Sequence, residues 1–372
     1  MSLSAQSRPD IVSTGNGARG VGLSQAITAA VSDVAAIGWN PAGLAHISGT
    51  EAAFTARALG FGILSQSGAP SFSGQERYSG ALDLIDFVGV ARSFTVSERG
   101  LVAGLAWRRF SEGLQGGGIG ASDAVTMFRS TGGTRALSPT IAAALTSGLR
   151  AGVTANLLHG SAEHVEDRST TTFDRFVREL DQSGVAYDLG VQFDFSAELR
   201  LGVIATLPHD LSMRYEEDTV RRNATRTAPL ALAFGFEIAA NPRSRLSADV
   251  RSADWSTSTL RDNDTGEAIE SPVGRFATHS VHVGYEWDGV YLRGTTSNRF
   301  GAHYRQSSVA DAQNKPITEV GASWGRSWIR PNYAYDLALG YSKSSRWSRT
   351  LFQPSTASDH QLTAVFSVRW KR

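Results

Sequence analysis

From residue 50 onward the chain is a succession of segments in which bulky apolar residues alternate one for one with small or charged ones. Tyr333, Tyr335, Leu337, Leu339 and Tyr341 share one face, opposite Ala334, Asp336, Ala338, Gly340 and Ser342. Val185, Tyr187, Leu189, Val191, Phe193 and Phe195 oppose Ala186, Asp188, Gly190, Gln192 and Asp194 in the same way. The pattern recurs in Leu230–Ala239 and in Leu362–Trp370. A period of two identifies β-strands. The second face decides their surroundings. A water-soluble sandwich turns long polar side chains outward, whereas here the second face is Gly and Ala with scattered Asp, Glu and Arg. That contrast suits a strand with lipid on one side and a crowded polar lumen on the other.

Strands are expected near 51–62, 84–96, 100–112, 135–146, 149–159, 184–195, 199–209, 229–238, 245–255, 275–287, 290–299, 316–326, 333–344 and 360–370. Long connections at 63–83, 113–134, 160–183, 210–228, 256–274, 300–315 and 345–359 alternate with short turns such as Ser147-Gly148 and Asp288-Gly289. Long loops on one rim and tight turns on the other are the plan of an outer-membrane barrel. The expectation is an all-β chain, a 14-stranded antiparallel transmembrane β-barrel over 51–372 with both termini on the short-turn side. No stretch reaches the ~18–20 unbroken apolar residues of a membrane helix. A mean hydropathy of −0.18 is compatible with a barrel, because lumen-facing polar residues dilute the score. A propeller would show similar blades every 40–50 residues or so, and no such repeat is present.

Composition removes other classes. With no Cys, a disulfide scaffold, a thiol nucleophile and a thiolate metal site are all excluded. Lys+Arg 36 against Asp+Glu 35 gives a net charge of +1, so no basic field points to nucleic acid. The eight His contain no HExxH, and His279 and His282, three apart on a strand, fall on opposite faces. No GxSxG marks a nucleophile. No metal, cofactor or enzymatic activity is expected. The opening MSLSAQSRPD lacks a cationic region followed by an apolar run, so it does not read as a secretory signal. Met1-Ser2-Leu3 reads as an added leader on a mature chain.

Residues 15–50 differ from the rest. They are rich in Gly and Ala and poor in bulky side chains, with helical stretches expected at Leu23–Val31 and Asp33–Ile37, punctuated by Gly38 and Pro41. GNGARG follows no strand and lacks GxxxxGK[ST], so it is not a phosphate loop. A lumen of about fourteen strands is too wide for wall side chains to fill. A small helical unit leading into such a barrel, residues 1–50, is expected inside it as a hatch.

Gly17-Ala18-Arg19, Gly20-Val21-Gly22, the Ala-rich 26–36 with Asp33, and above all Trp39-Asn40-Pro41-Ala42-Gly43-Leu44-Ala45 resemble the N-terminal hatch of the FadL-like outer-membrane transporters of long-chain fatty acids and other hydrophobic compounds. Weaker echoes lie in Pro229–Gly235, Asp249, Trp255, Gly284-Tyr285-Glu286, Leu292-Arg293 and Asp336–Leu339, so the resemblance spans the chain. The chain is shorter than the fatty-acid members and ends in Trp370-Lys371-Arg372 instead of a terminal aromatic.

The resemblance implies passive transport of a hydrophobic small molecule across a bacterial outer membrane, gated by the hatch, with release often sideways into the bilayer. The alternative it leaves open is a docking or shuttle barrel, as in type IX secretion. Trp39, Asn40, Pro41 and Ala42 are the gating candidates. Apolar residues of the long connections are candidates for ligand capture, among them Phe72, Tyr78, Leu114 and Ile119. Foremost are Phe173, Phe176, Val177 and Leu180, whose spacing predicts an amphipathic helix. Arg92, Arg251 and Arg293 are candidates to pair with a ligand carboxylate, against the plainer role of neutralising wall acids such as Asp188, Asp249 and Glu286. The expected partners are the hydrophobic ligand, outer-membrane lipid and lipopolysaccharide, the last through loop arginines; the barrel is expected to be a monomer.

Overall fold

The computed structural model describes residues 16–59, 62–67, 75–78, 82–96, 99–112, 115–121, 124–169, 173–217, 220–269, 276–291, 294–311, 313–349 and 354–372. Fourteen antiparallel strands close into one barrel. In chain order they are β1 (Thr50–Leu59, continued by Gly62–Ser67), β2 (Gln75–Tyr78 and Leu82–Val96), β3 (Arg99–Glu112 and Gln115–Ala121), β4 (Ala124–Ala144) and β5 (Leu149–Ser169). They continue as β6 (Phe173–Asp194), β7 (Leu199–Thr206 and His209–Glu217), β8 (Val220–Ala228 and Ala231–Asn241), β9 (Ser244–Ala253 and Leu260–Asp262) and β10 (Thr278–Tyr291). The last are β11 (Gly294–Ala310), β12 (Pro316–Ile329), β13 (Tyr333–Arg349) and β14 (Pro354–Lys371). Each pairs with its sequence neighbour, and β14 returns to β1 from Glu51↔Lys371 to Leu59↔Thr363. At the seam Thr50 N donates to Arg372 O and Arg372 N to Thr50 O, both at 2.9 Å.

The alternation reads out as the sequence predicts. Phe234, Tyr335 and Leu339 are 48%, 41% and 47% exposed, while their alternates Ala233, Ala334, Asp336 and Ala338 are buried. The bulky face is therefore the outer one. On β6 and the residue after it this face runs from Val185 to Phe195, ten steps at about 3.3 Å tilted by about 40°, a band roughly 25 Å tall. That matches the hydrocarbon thickness a barrel spans. At the short-turn end Trp287 stacks between Tyr285 and Phe300, with centroids 5.6 and 5.5 Å away, as in an interfacial aromatic girdle.

The other rim differs from expectation. Much of what reads as loop at 113–134, 160–183 and 210–228 is strand: β4, β5 and β6 run 21, 21 and 22 residues, about twice what the bilayer requires. The two-fold contrast stops where lipid stops, yet backbone pairing continues. Phe173, Phe176, Val177 and Leu180 lie on β6, not on a helix, with Val177 opposite Val165 and Leu180 opposite Ala162. Ladder partners on β5 and β7 override the helical spacing.

The hatch holds α1 (Ala18–Gly22), α2 (Ala36–Trp39) and a 3-10 turn over Pro41–His46. The helix expected at Leu23–Val31 is not formed, because Ser24 and Gln25 adopt left-handed φ of 49° and 73°. Leu23, Ile27, Val31, Val34, Ile37 and Leu44 instead form a small core. It packs on Phe87, Ala91, Val102, Ala106 and Ala142 of β2, β3 and β4. The hatch thus lies in the lumen with its apolar side against one arc of wall.

Candidate functional site

The hatch is seated on bare backbone. Asn40 is fully buried, and its amide donates to Thr28 O at 2.9 Å and to two wall carbonyls, Val191 O at 3.1 Å and Val203 O at 3.4 Å. Its Oδ1 accepts from Ala42 N at 3.2 Å, capping the turn that Pro41 begins. This proximity needs wall positions without side chains. A Cβ on Gly152 would lie 2.5 Å from the Pro41 carbonyl carbon, one on Gly202 would lie 2.5 Å from Thr28 O, and one on Gly190 would collide with Asn40 Oδ1. Trp39 stays within the hatch: its indole donates to Asn16 O at 2.9 Å, and the Arg251 guanidinium lies 5.1 Å from its ring centroid.

Polar wall groups hold the rest. Asp249 accepts from Ile27 N, Thr28 N and Thr28 Oγ1, the last at 2.6 Å, and Gln192 Nε2 donates to Ala29 O and Val31 O. Arg19 of the hatch meets Glu286 at 3.1 Å and Glu237 at 3.9 Å, and Asp33 meets Arg369. His46 contacts Gln192 at 3.1 Å. Burial, followed by the Arg200 and Arg150 charges, lowers its imidazole pKa to about 4. Toward the short-turn mouth Arg150, Asp194, Arg200 and Glu237 form one chain of ion pairs, and beside it Arg245 pairs with Glu286 and Asp288. A cavity of about 440 Å³ opens there between Ser147, Asp194, Arg200, Glu237 and Arg245.

The opposite half of the lumen is apolar along one arc. Phe110, Ala136, Leu158, Ala186 and Leu211 cluster across β3 to β7. Leu211 links them to Met213, Ala224, Leu260, Leu180, Tyr215 and Ile269. Farther round lie Ala228, Ala231, Ala253 and Trp255. Beneath this arc runs a polar tier in which Arg108 Nη2 donates to Asn156 at 2.9 Å, Asn156 to Asp188 at 2.8 Å and Thr206 to Asp188 at 2.6 Å.

The arc ends at a break in the wall. The β2–β3 ladder begins at Phe87↔Arg108, so among the described residues Leu82–Asp86 have no ladder partner on Arg109–Glu112. On their other side Leu84, Ile85 and Asp86 bulge opposite Ala56, and Phe110 is itself the bulged residue of the β3–β4 ladder. Side chains take over the missing backbone pairing. Asn16 of the hatch donates to Asp86 O and Oδ2 at 2.9 Å, Arg109 pairs with Asp86 at 2.6 Å, and Arg135 donates to Ile85 O.

The candidates separate clearly. Asn40, Pro41 and Ala42 are brought together at the hatch–wall contact, and Trp39 packs within the hatch under Arg251. Leu180 lines the apolar arc, while Phe173, Phe176 and Val177 continue β6 beyond it. Arg92 does not face the lumen: it is exposed on the face of Val88, Val90 and Phe94, opposite Thr50 at the strand end. Arg251 is buried on Asp249 at 3.2 Å and on Gln25 O at 2.6 Å. Arg293, Phe72 and Leu114 lie outside the described residues, and Tyr78 and Ile119 are in strands. Asp188, Asp249 and Glu286 meet Arg108, Arg251 and Arg299, of which Arg251 alone is among the candidates. Phe110, Leu158, Leu211, Met213, Leu260 and Trp255 are missing from the sequence-based candidates. Their one signal is a bulky apolar residue on the parity that otherwise carries small or polar ones.

These features define a class, a fourteen-stranded transmembrane barrel stoppered by its own N-terminal hatch. Among solved structures, a Pseudomonas aeruginosa FadL homologue superposes with a TM-score of 0.71 at 14% identity, covering 99% of this chain and 100% of that one. The P. putida toluene transporter TodX gives 0.66 at 14% identity over 96% and 99% of the two chains, and the Ralstonia pickettii toluene transporter TbuX gives 0.62 at 16% over 96% and 98%. The fold is FadL-like. No protein-family model and no curated protein matches the chain.

Proposed function

We propose that this protein is a passive outer-membrane transporter of hydrophobic small molecules, fatty-acid-like in character, with the hatch as its gate and no chemical step. The observation that carries this reading is the division of the lumen. The rim half offers a dry arc from Trp255 and Leu260 to Phe110, where each buried CH₂ of a ligand is favoured by about 0.8 kcal/mol. The short-turn half is a lattice of Arg, Asp and Glu that offers such a ligand nothing. Phe110 stands at the wall break beside Asp86 and Arg109. A greasy molecule captured on the arc therefore leaves most favourably through that break into the bilayer, while the hatch keeps the polar mouth shut. Lipopolysaccharide contacts the extended strand ends, and the barrel acts as a monomer.

Uptake into proteoliposomes of a panel of alkanoates, aromatics and terpenoids tests this. Leu211→Arg and Met213→Arg place charge on the arc and should cut uptake at least tenfold without altering the barrel's circular dichroism. Uptake indistinguishable from empty vesicles across the panel would favour the docking-barrel alternative.

A further inference from the structure

On β12 the parity that faces lipid carries a cation. Ser323, Gly325 and Ser327 point inward: Ser323 Oγ lies 2.8 Å from Ser24 Oγ, Gly325 backs onto Gly22 of the hatch, and Ser327 donates to Asp336. Their alternates Val320, Ala322, Trp324, Arg326 and Trp328 therefore point outward, and Val320 is 53% exposed. Arg326 is in register with Asn298 of β11 and Leu337 of β13, and the same row continues to Trp287 and Phe366. Antiparallel partners share a face, so one guanidinium and one amide stand in the outer aromatic belt.

The protein itself uses neither group. Arg326 makes no hydrogen bond or ion pair among the described residues, its enclosed Nε included, and the Asn298 amide makes none. The described outward faces of β10 to β13 hold no Asp or Glu, and the next cation on them, Lys343, lies toward the rim end of β13. An unpaired guanidinium against hydrocarbon is costly. The direction of the side chain says how that cost is met. Arg326 Cζ lies 5.6 Å from the ring centroid of Trp328, two residues nearer the short-turn end, so the head snorkels toward that interface. β12 ends at Ile329, three residues on, roughly 8 Å of height at about 3.3 Å per residue and a 40° tilt. The head thus reaches the level where an aromatic belt meets lipid phosphates, here those of the periplasmic leaflet. A planar fork of N–H donors matches a pair of phosphate oxygens, and the neighbouring amide supplies a further donor. With no carboxylate to hold an ammonium, the face favours a head group that carries no cation of its own.

We propose that Arg326, Asn298 and the Trp328 ring form a site for the phosphodiester of an anionic glycerophospholipid in the periplasmic leaflet, its acyl chains running along the outer wall past Trp324 and Leu339. Its occupancy is independent of what the lumen carries. Across the wall lies the contact of Gly325 with Gly22, so the lipid is held on a stave that also seats the hatch.

Native mass spectrometry of the full chain in detergent, titrated with phosphatidylglycerol or with phosphatidylethanolamine of the same chains, reads the first lipid bound. Phosphatidylglycerol should bind roughly tenfold more tightly, and Arg326→Gln should erase that difference. Trp328→Leu should weaken phosphatidylglycerol about threefold. Arg92→Gln removes an outward arginine that has no ring contact among the described residues, and should leave the preference unchanged. Circular dichroism checks that each variant keeps the barrel. A wild-type preference below about twofold, or one that survives Arg326→Gln, would overturn the site. An equal loss in Arg92→Gln would also overturn it, by showing general attraction of anionic lipid to positive charge. Displacement of the first lipid by excess inorganic phosphate would assign Arg326 to a soluble anion instead.

Discussion

Asn40 is the side chain through which the hatch is most directly joined to the wall, and Asn40→Ala measures that joint. The substitution removes the cap of Pro41–His46, which costs about 1 kcal/mol. It also leaves a buried carbonyl without its donor, at Thr28 O or Val191 O, for about 1–3 kcal/mol more. Thr28 O keeps only a long contact to Gln192 at 3.4 Å. The sum, about 2–4 kcal/mol, falls on local hatch opening and not on the barrel, whose ladders do not use this side chain. Amide exchange in the 28–47 segment should accelerate roughly 30- to 1,000-fold, while amides of the β13–β14 ladder keep their protection. Asn40→Asp separates the two contributions. It retains the cap acceptor but sets a carboxylate against three carbonyl oxygens, so it should loosen the hatch at least as much as alanine. Hatch exchange within threefold of wild type in both variants would refute the view that Asn40 fixes the plug.

Gly202→Ala should displace the Thr28 backbone, since the new Cβ would lie 2.5 Å from its carbonyl oxygen; the expected readout is a rise in ion conductance in planar bilayers with the barrel's circular dichroism unchanged. His46 gives the hatch a pH dependence. Its pKa is about 4 when docked against about 6.5 when free, so the undocked state binds more protons between these values. Docking stability is complete above about 6.5 and is lost as pH falls toward 4; hatch exchange, corrected for intrinsic rates, should accelerate over that window, and His46→Gln should flatten the component due to this imidazole. On the outer face, Phe234→Arg should cost about 2–4 kcal/mol, measured by guanidinium titration of folding into vesicles, and a change below 0.5 kcal/mol or so would place Phe234 away from the hydrocarbon.

The barrel was legible because lipid imposes a strict rule on every second residue, and the hatch because its Gly- and Ala-rich segment with Trp39-Asn40-Pro41-Ala42 resembles that of a known family. Tyr335 and Leu339 announce the outer face by themselves. Toward the rim the rule weakens. Leu158 follows Leu157, and no contrast in sequence says that one points to lipid and the other to the lumen; only the barrel's closure does. Arg92 misleads for a related reason. The bulge at Leu84–Asp86 shifts the parity of β2, so Phe87, Gly89 and Ala91 turn inward, and Arg92 emerges at the outer water boundary, where a long cationic side chain is tolerated.

The seam between Thr50 and Arg372 carries a consequence for biogenesis. The stopper is covalently continuous with the first stave, and Arg369 near the end of the last grips Asp33 within it. Arg369 and Asp33 come into reach only where those two staves have met, so the sewing of the final seam and the seating of the plug reinforce one another.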